Sequence, residues 1–263
     1  MSQYSRMAQY YDTIYSKIVD YPSQTDYLEK IFTKHHEGRV RSILDVACGT
    51  GNYTFEFAKR RYDVTGIDSS DDMINIALQK QKEIKMNPEF VKMDMRDIEL
   101  KNKFDIAAVL FGGFGYLLEA DDVMRFFSSV RDTLRPNALL IFEFWHNAAI
   151  LPAAATSSGL KNFDTVRNGN RLIIRLHLSK FEAETNKLAI LFDLYVIDTL
   201  RKKLLDSFSE KHVVKTYAIS EVARLVEASN FKPLAFYAGG VGKMTKLELA
   251  EQSTFRVLAV AGI

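Results

Sequence analysis

The chain has 263 residues, 47% of them apolar, which is enough to bury the core of one large domain or of one domain with an insertion. Its 35 basic and 33 acidic side chains leave a net charge of +2, a balance that argues against a nucleic-acid partner. The first ten residues lack the apolar stretch of a signal peptide, no run reaches membrane-spanning length, and the single cysteine, Cys48, cannot close an internal disulfide. These features predict a cytoplasmic protein that does not engage a membrane.

From the amino end, Tyr4 to His35 reads as helical, with Tyr11, Ile14, Tyr15 and Ile18 at helical spacing. A break at Asp20-Tyr21-Pro22-Ser23 restarts the helix, with Ser23 as the expected cap and Asp26 three residues on. In Ser42-Ile-Leu-Asp45-Val-Ala-Cys-Gly49-Thr-Gly51-Asn-Tyr-Thr54, residues Ile43, Leu44 and Val46 read as a buried parallel strand. Gly49 and Gly51 let the backbone turn sharply against a ligand, and a helix from Asn52 turns its free N–H groups toward it. The next strand, Asp63 to Ile67, runs into Asp68, 19 residues after Gly49, where a carboxylate can accept two hydrogen bonds from a ribose diol.

Strands near 42–47, 63–67, 89–93, 104–111 and 138–145 alternate with helices near 52–60, 70–83 and 120–134. That alternation predicts an α/β fold, a parallel sheet covered on both faces. The pattern changes after Pro152, with three β-type stretches, Asp164–Phe181, Leu188–Thr199 and Leu204–Tyr217. A helix capped by Ser220 and running to Ala228 follows, then strands at Lys232–Ala238 and Phe255–Ala261. Residues 1–150 with 218–263 are expected to form a ligand-binding domain, 1–35 being its helical cap. An antiparallel β insertion, 151–217, is expected as a substrate lid, because it lies at the carboxyl edge where open α/β sheets bind ligands.

The ligand can be narrowed. Dinucleotide sites carry a third glycine in this loop for close helix packing beneath a pyrophosphate, and here Thr54 replaces it. Asp45 sits inside the strand end, where a carboxylate would repel a pyrophosphate and suit an ammonium group, while also tying down the glycine loop. S-adenosylmethionine carries an ammonium, a ribose and no phosphate. Cys48, at a buried strand end with no histidine beside it in sequence, is expected to be inert packing.

Asp45 to Gly51, Asp68 and Met93-Asp94-Met95-Arg96-Asp97 resemble the class I S-adenosylmethionine-dependent methyltransferases, over about residues 5–150. The resemblance implies a Rossmann-like, mostly parallel sheet of seven strands with helices on both faces, closed by a reversed hairpin. It also implies S-adenosyl-L-methionine as cofactor and no metal. Gly49 and Gly51 would border its methionine part, with Asp45, Ala47 and Ser69 in the same pocket, and Asp68 would hold the ribose hydroxyls. Asp94 would face the adenine amino group, Met95 and Met73 would pack on the ring, and Phe111 would lie by the methyl donor. Tyr10-Tyr11-Asp12-x-x-Tyr15 resembles the N-terminal cap of small-molecule members, which would place Tyr11 and Tyr15 in the pocket.

Methyl transfer is an in-line displacement in which orientation alone can supply about 7–11 kcal/mol. A base is needed only for a hydroxyl or a protonated amine. His146, at the end of the fifth strand in Phe142-Glu-Phe-Trp-His146, is the base candidate, with Tyr11 as the second catalytic candidate; an exposed His146 capping the next segment is the alternative. Arg175, His177, Asp193 and Tyr195 alternate along the insertion, and which of them face the ligand edge is left open. Phe111-Gly-Gly-Phe-Gly-Tyr116 stands where base-amine methyltransferases show Asn/Asp-Pro-Pro-Tyr/Phe. Together with Met93–Asp97 and Phe142–Trp145 it is similar to enzymes that methylate amino groups of nucleotide-linked sugars. The expectation is methyl transfer to a nitrogen or oxygen of a small-molecule acceptor, with a homodimer allowed. An RNA (tRNA) methyltransferase, or a non-catalytic cofactor-binding subunit, are the alternatives.

Overall fold

The computed structural model describes residues 6–154, 160–240 and 242–263. Two helices come first, α1 (Ala8–Tyr15) and α2 (Tyr21–His35). Asp20, not Ser23, caps α2: its carboxylate accepts the Ser23 N–H at 3.1 Å, and Pro22 sits in the first turn where no N–H is missed. Tyr4, expected to open the first helix, lies outside the described residues.

Strands β1 (Ser42–Val46), β2 (Asp63–Asp68), β3 (Glu89–Lys92), β4 (Phe104–Val109) and β5 (Leu134–His146) are parallel, linked among others by α3 (Asn52–Lys59), α4 (Asp71–Ile84) and α5 (Ala120–Arg131). After β5 come α6 (Asn147–Ala154) and four strands in succession. These are β6 (Leu160–Asn168), β7 (Arg171–Glu182), β8 (Lys187–Asp198) and β9 (Lys203–Tyr217), an antiparallel meander. The first expected stretch of the insertion is thus two strands, split by Asn168-Gly169-Asn170 with Gly169 at φ +57°. The chain closes with α7 (Ile219–Ala228), β10 (Lys232–Ala238) and β11 (Arg256–Gly262). Ala218 rather than Ser220 stands at the cap position of α7.

The order is β3-β2-β1-β4-β5, with β11 antiparallel to β5 and β10 antiparallel to β11. This is the Rossmann-like sheet with its reversed last hairpin. The meander joins it through one short parallel contact, Trp145 with Thr216 and His146 with Tyr217. No helix among the described residues is long and apolar enough to cross a membrane.

Strand alternation sorts the core into two layers. Leu44, Val46, Ala107, Val109, Leu140, Phe142 and Phe144 face α5 and α7; Ile43, Ile106, Ala108, Leu139 and Ile141 face α2 and α3. The inner face of the meander, with Ile173, Leu194, Val196 and Phe208, packs on Met7 and Ile14 and so covers the carboxyl edge of the sheet.

Phe114 anchors the first layer from a tight turn after β4, its ring 4.6 Å from Phe142 and 5.3 Å from Tyr217. Phe114→Ala is expected to cost about 3–5 kcal/mol, read as a lowered urea midpoint, since the fully buried ring leaves a cavity its neighbours cannot fill.

Candidate functional site

The chain leaves β1 and β4 through residues in left-handed backbone, Ala47 at φ 55° and Phe111 at φ 58°. Such a conformation costs a residue with a Cβ roughly 1–2 kcal/mol, and here it bends both strand exits around one space. That space is a cavity of about 340 Å³ bordered by Tyr11, Asp45, Ala47, Gly49, Asp68, Ser69, Met73, Met95 and Phe111. A recess of about 170 Å³ adjoins it, sharing Ala47, Asp68, Ser69 and Met95 and adding Asp94.

Asp68 holds the loop. Its Oδ2 accepts the Gly49 N–H at 2.8 Å and its Oδ1 the Ser70 N–H at 2.9 Å. Each carboxylate oxygen keeps a lone pair for a further donor. Burial pushes the Asp68 carboxyl above its ordinary range, opposed by these amides. Asp45 lies deeper, with Thr54 Oγ1 donating to its Oδ2 at 2.6 Å. Thr54, standing where a dinucleotide site has glycine, is therefore the partner of the buried carboxylate. Burial raises the Asp45 carboxyl to about 7, against the Thr54 bond and with help from the charge of Asp68. Asp94 is gripped by Arg96, whose Nη2 donates to Oδ2 at 2.6 Å, and those bonds hold its carboxyl below the ordinary range.

The glycines differ. A Cβ on Gly49 would meet no atom within 4 Å, so this residue opens on the cavity. A Cβ on Gly51 would stand 2.6 Å from the Phe90 ring: that glycine, at φ +80°, makes room for packing below the loop and does not border the cavity. Burial pushes the Cys48 thiol well above its ordinary value, which leaves it protonated.

The donor set fits an adenosyl sulfonium compound. Two carboxylates border the first cavity and, among the described residues, no lysine, arginine or histidine does, so a pyrophosphate would find acidic groups and no cation. The roof is α1, latched by Asp12: Thr50 Oγ1 and Asn52 Nδ2 donate to its Oδ1 at 2.6 and 2.9 Å, and Lys80 Nζ to its Oδ2 at 2.9 Å.

A second cavity, of about 640 Å³, lies between the tip of β5, α6 and the inner face of the meander, and meets the first at Phe111 and Tyr116. Tyr15 borders this second cavity and not the first. Its ring stands edge-on to Phe111 at 5.0 Å; Arg256 is sandwiched 4.6 Å from both Phe111 and Trp145 and paired with buried Glu143 at 3.1 Å. Arg175 and His177 point inward, Arg175 pairing with Asp164 at 2.7 Å, whereas Tyr195 is exposed on the outer face.

His146 borders neither cavity. The base role expected of it is corrected by its surroundings: the ring is buried rather than exposed, and its Nδ1 donates to the Thr254 carbonyl at 3.0 Å. Pairing of β5 with β9 and the segment before β11 cover it. Residues without an expected role that the geometry brings in are Asp12, Lys80, Tyr116, His212 and Arg256. Asp12 and Tyr116 stood within the quoted motifs; Lys80, His212 and Arg256 carried no local signal.

A pH prediction follows from Asp45. Unfolded, this carboxyl titrates near its ordinary value of about 3.9; folded, near 7. Its proton therefore stabilises the fold fully below about pH 4, and that contribution is lost as pH rises to 7, at about 1.4 kcal/mol per pH unit. Between pH 5 and 7 the ligand-free wild type is expected to lose stability relative to Asp45→Asn, with a constant difference above pH 7, measured as urea midpoints.

Residues 43–137 match the methyltransferase domain family. A Geobacillus sp. (strain WCH70) protein, named as a methyltransferase, is 30% identical over 53% of this chain and 56% of its own length, little more than half of that relative. The dTDP-3-amino-3,4,6-trideoxy-alpha-D-glucopyranose N,N-dimethyltransferase of Streptomyces venezuelae is 26% identical over 76% of this chain and 78% of its own. In fold, the chain is similar to an S-adenosylmethionine-dependent methyltransferase from Clostridium acetobutylicum, with a TM-score of 0.79 at 18% identity, covering 99% of this chain and 98% of that one. With its strand order, glycine loop and acidic cavity, the chain carries over residues 43–137 a methyltransferase domain, in the Rossmann-like fold of the S-adenosylmethionine-dependent methyltransferases.

Proposed function

We propose that this protein methylates a nitrogen or oxygen of a small acceptor, an amino group on a nucleotide-linked sugar being the best-supported chemistry. The observation that carries this is the pair of joined cavities of opposite character. The smaller is acidic and, among the described residues, without cations; the larger is bordered by Lys161, Arg175 and Arg256 against one carboxylate, Asp164. Although Arg175 and Arg256 are each paired, Lys161 leaves it the more basic of the two and suited to an acceptor with anionic groups. The dTDP-amino-sugar named for the Streptomyces venezuelae relative has that chemistry.

S-adenosylmethionine, when bound, supplies an electrophilic methyl group on sulfur. In this reading Asp68 accepts from the ribose hydroxyls, and Asp45 and the open side of Gly49 receive the ammonium end. Ala47 and Ser69 border the same space, and Met73, Met95 and Asp94 form the adenine end. Phe111 and Tyr11 close the space around the reacting carbon and exclude water, while Tyr15 belongs to the acceptor side. Residues 1–150 with 218–263 act as the cofactor-binding domain and 151–217 as the lid that selects the acceptor. A single cysteine, which has no partner for an internal disulfide, supports a cytoplasmic setting.

The test is calorimetric titration with S-adenosylhomocysteine, followed by mass analysis of dTDP-3-amino-3,4,6-trideoxy-alpha-D-glucopyranose after incubation with S-adenosylmethionine. Binding of a nicotinamide dinucleotide in place of the adenosyl compound would overturn the reading. Asp68→Ala is expected to weaken S-adenosylhomocysteine by about 1–3 kcal/mol, since it strands the ribose donors and frees the Gly49 N–H. An unchanged affinity would remove the ribose role.

A further inference from the structure

Both cavities share one tyrosine. Tyr116 borders the first cavity, the adenine-side recess and the second cavity, and its OH lies 3.0 Å from Nδ1 of His212 on β9. The other ring nitrogen, Nε2, stands 3.5 Å from Glu210 Oε2. Glu210 is itself fixed, its Oε1 accepting the N–H groups of Arg6 and Met7 at 2.8 and 2.9 Å. Against the effect of burial, the neighbouring His212 ring and these amides hold the Glu210 carboxyl below its ordinary range, so it is ionised. An ionised carboxylate can only accept, which puts the proton of neutral His212 on Nε2 and leaves Nδ1 to accept from the tyrosine.

We propose that Tyr116 and His212 form a proton relay at the seam between the cavities, with Glu210 as the positioning residue, and that this relay takes up the proton the acceptor loses. The inference rests on the methyl-transfer reading above. The acceptor nitrogen forms the new N–C bond with its lone pair as the carbon–sulfur bond breaks and its electrons leave on sulfur. The nitrogen then sheds one proton to the Tyr116 oxygen, the phenol proton passes to His212 Nδ1, and the imidazolium is balanced by Glu210. Return of that proton to water resets the chain. Among the described residues, the other titratable or charged groups near the ring are His177 and Arg175 on β7, with the Phe192 ring packed against all three.

Two measurements test this on the full chain. The first is nitrogen-15 spectroscopy of the histidines with S-adenosylhomocysteine present. Neutral His212 is expected to carry its proton on Nε2, and Tyr116→Phe to shift its Nδ1 signal without loss of ligand binding. A proton on Nδ1 in the wild type would overturn the relay, whatever acceptor the enzyme uses. The second is turnover of the dTDP-amino-sugar named above. Tyr116→Phe and His212→Asn are each expected to lower kcat by about 10²–10⁴-fold, with S-adenosylhomocysteine affinity kept within about two-fold, and the double variant is expected to be no slower than the singles. Glu210→Gln should move the rising limb of the kcat–pH profile to lower pH, because the imidazolium loses its counter-charge. Unchanged kcat in both relay variants would overturn the proposal; a wild type that binds no S-adenosylhomocysteine would instead overturn the methyl-transfer reading.

Discussion

The geometry at the ligand edge depends on one carboxylate. Asp68 ends β2, yet it spends both oxygens on backbone amides, one from the loop after β1 and one from its own helix start. Two parallel strands whose tips would otherwise be joined only by the sheet ladder are thereby clamped where their hydrogen bonding runs out. Asp45, tethered to Thr54, repeats the device one layer down. Bringing two carboxylates this close costs electrostatic energy. The fold meets that cost differently at each: amide donors for Asp68, a captured proton for Asp45. A cation arriving between them relieves both.

The boundary between the cavities is aromatic and cationic together. Tyr15, Phe111 and Trp145 line up with the Arg256 guanidinium between the last two, and Glu143 satisfies that charge from within β5. A buried ion pair of this kind contributes little net stability, but removing either member leaves an uncompensated charge in the core. It also joins β11, near the end of the chain, to the strand tip where the insertion begins. The wall is thus held by parts of the sequence more than a hundred residues apart.

What could be read from the sequence follows from the range of the interactions involved. Asp45, Gly49 and Asp68 sit at strand ends set by local apolar runs, so their spacing placed them at one edge, and the fold class followed from the alternation of strands and helices. Gly51 could not be judged in the same way, because the Phe90 ring that demands it comes from β3. His146 had the expected position at a strand tip, but a strand from residues 203–217 and the segment before β11 cover it. The inward face of the meander was undecided for a related reason. Alternation defines two faces, and only the docking of Met7 and Ile14 selects the one carrying Arg175 and His212. The turn at Asn168-Gly169-Asn170, by contrast, is a local signal, carried by a glycine in left-handed backbone.

Glu210 has a consequence beyond orientation. A single carboxylate oxygen receives the first two described amides of the chain, ahead of α1, while its twin faces His212. The helix that roofs the cofactor cavity and the imidazole beside the acceptor cavity are therefore interlocked through three atoms. If α1 lifts to admit or release a ligand, Glu210 is freed to swing away and the histidine loses the carboxylate that orients it.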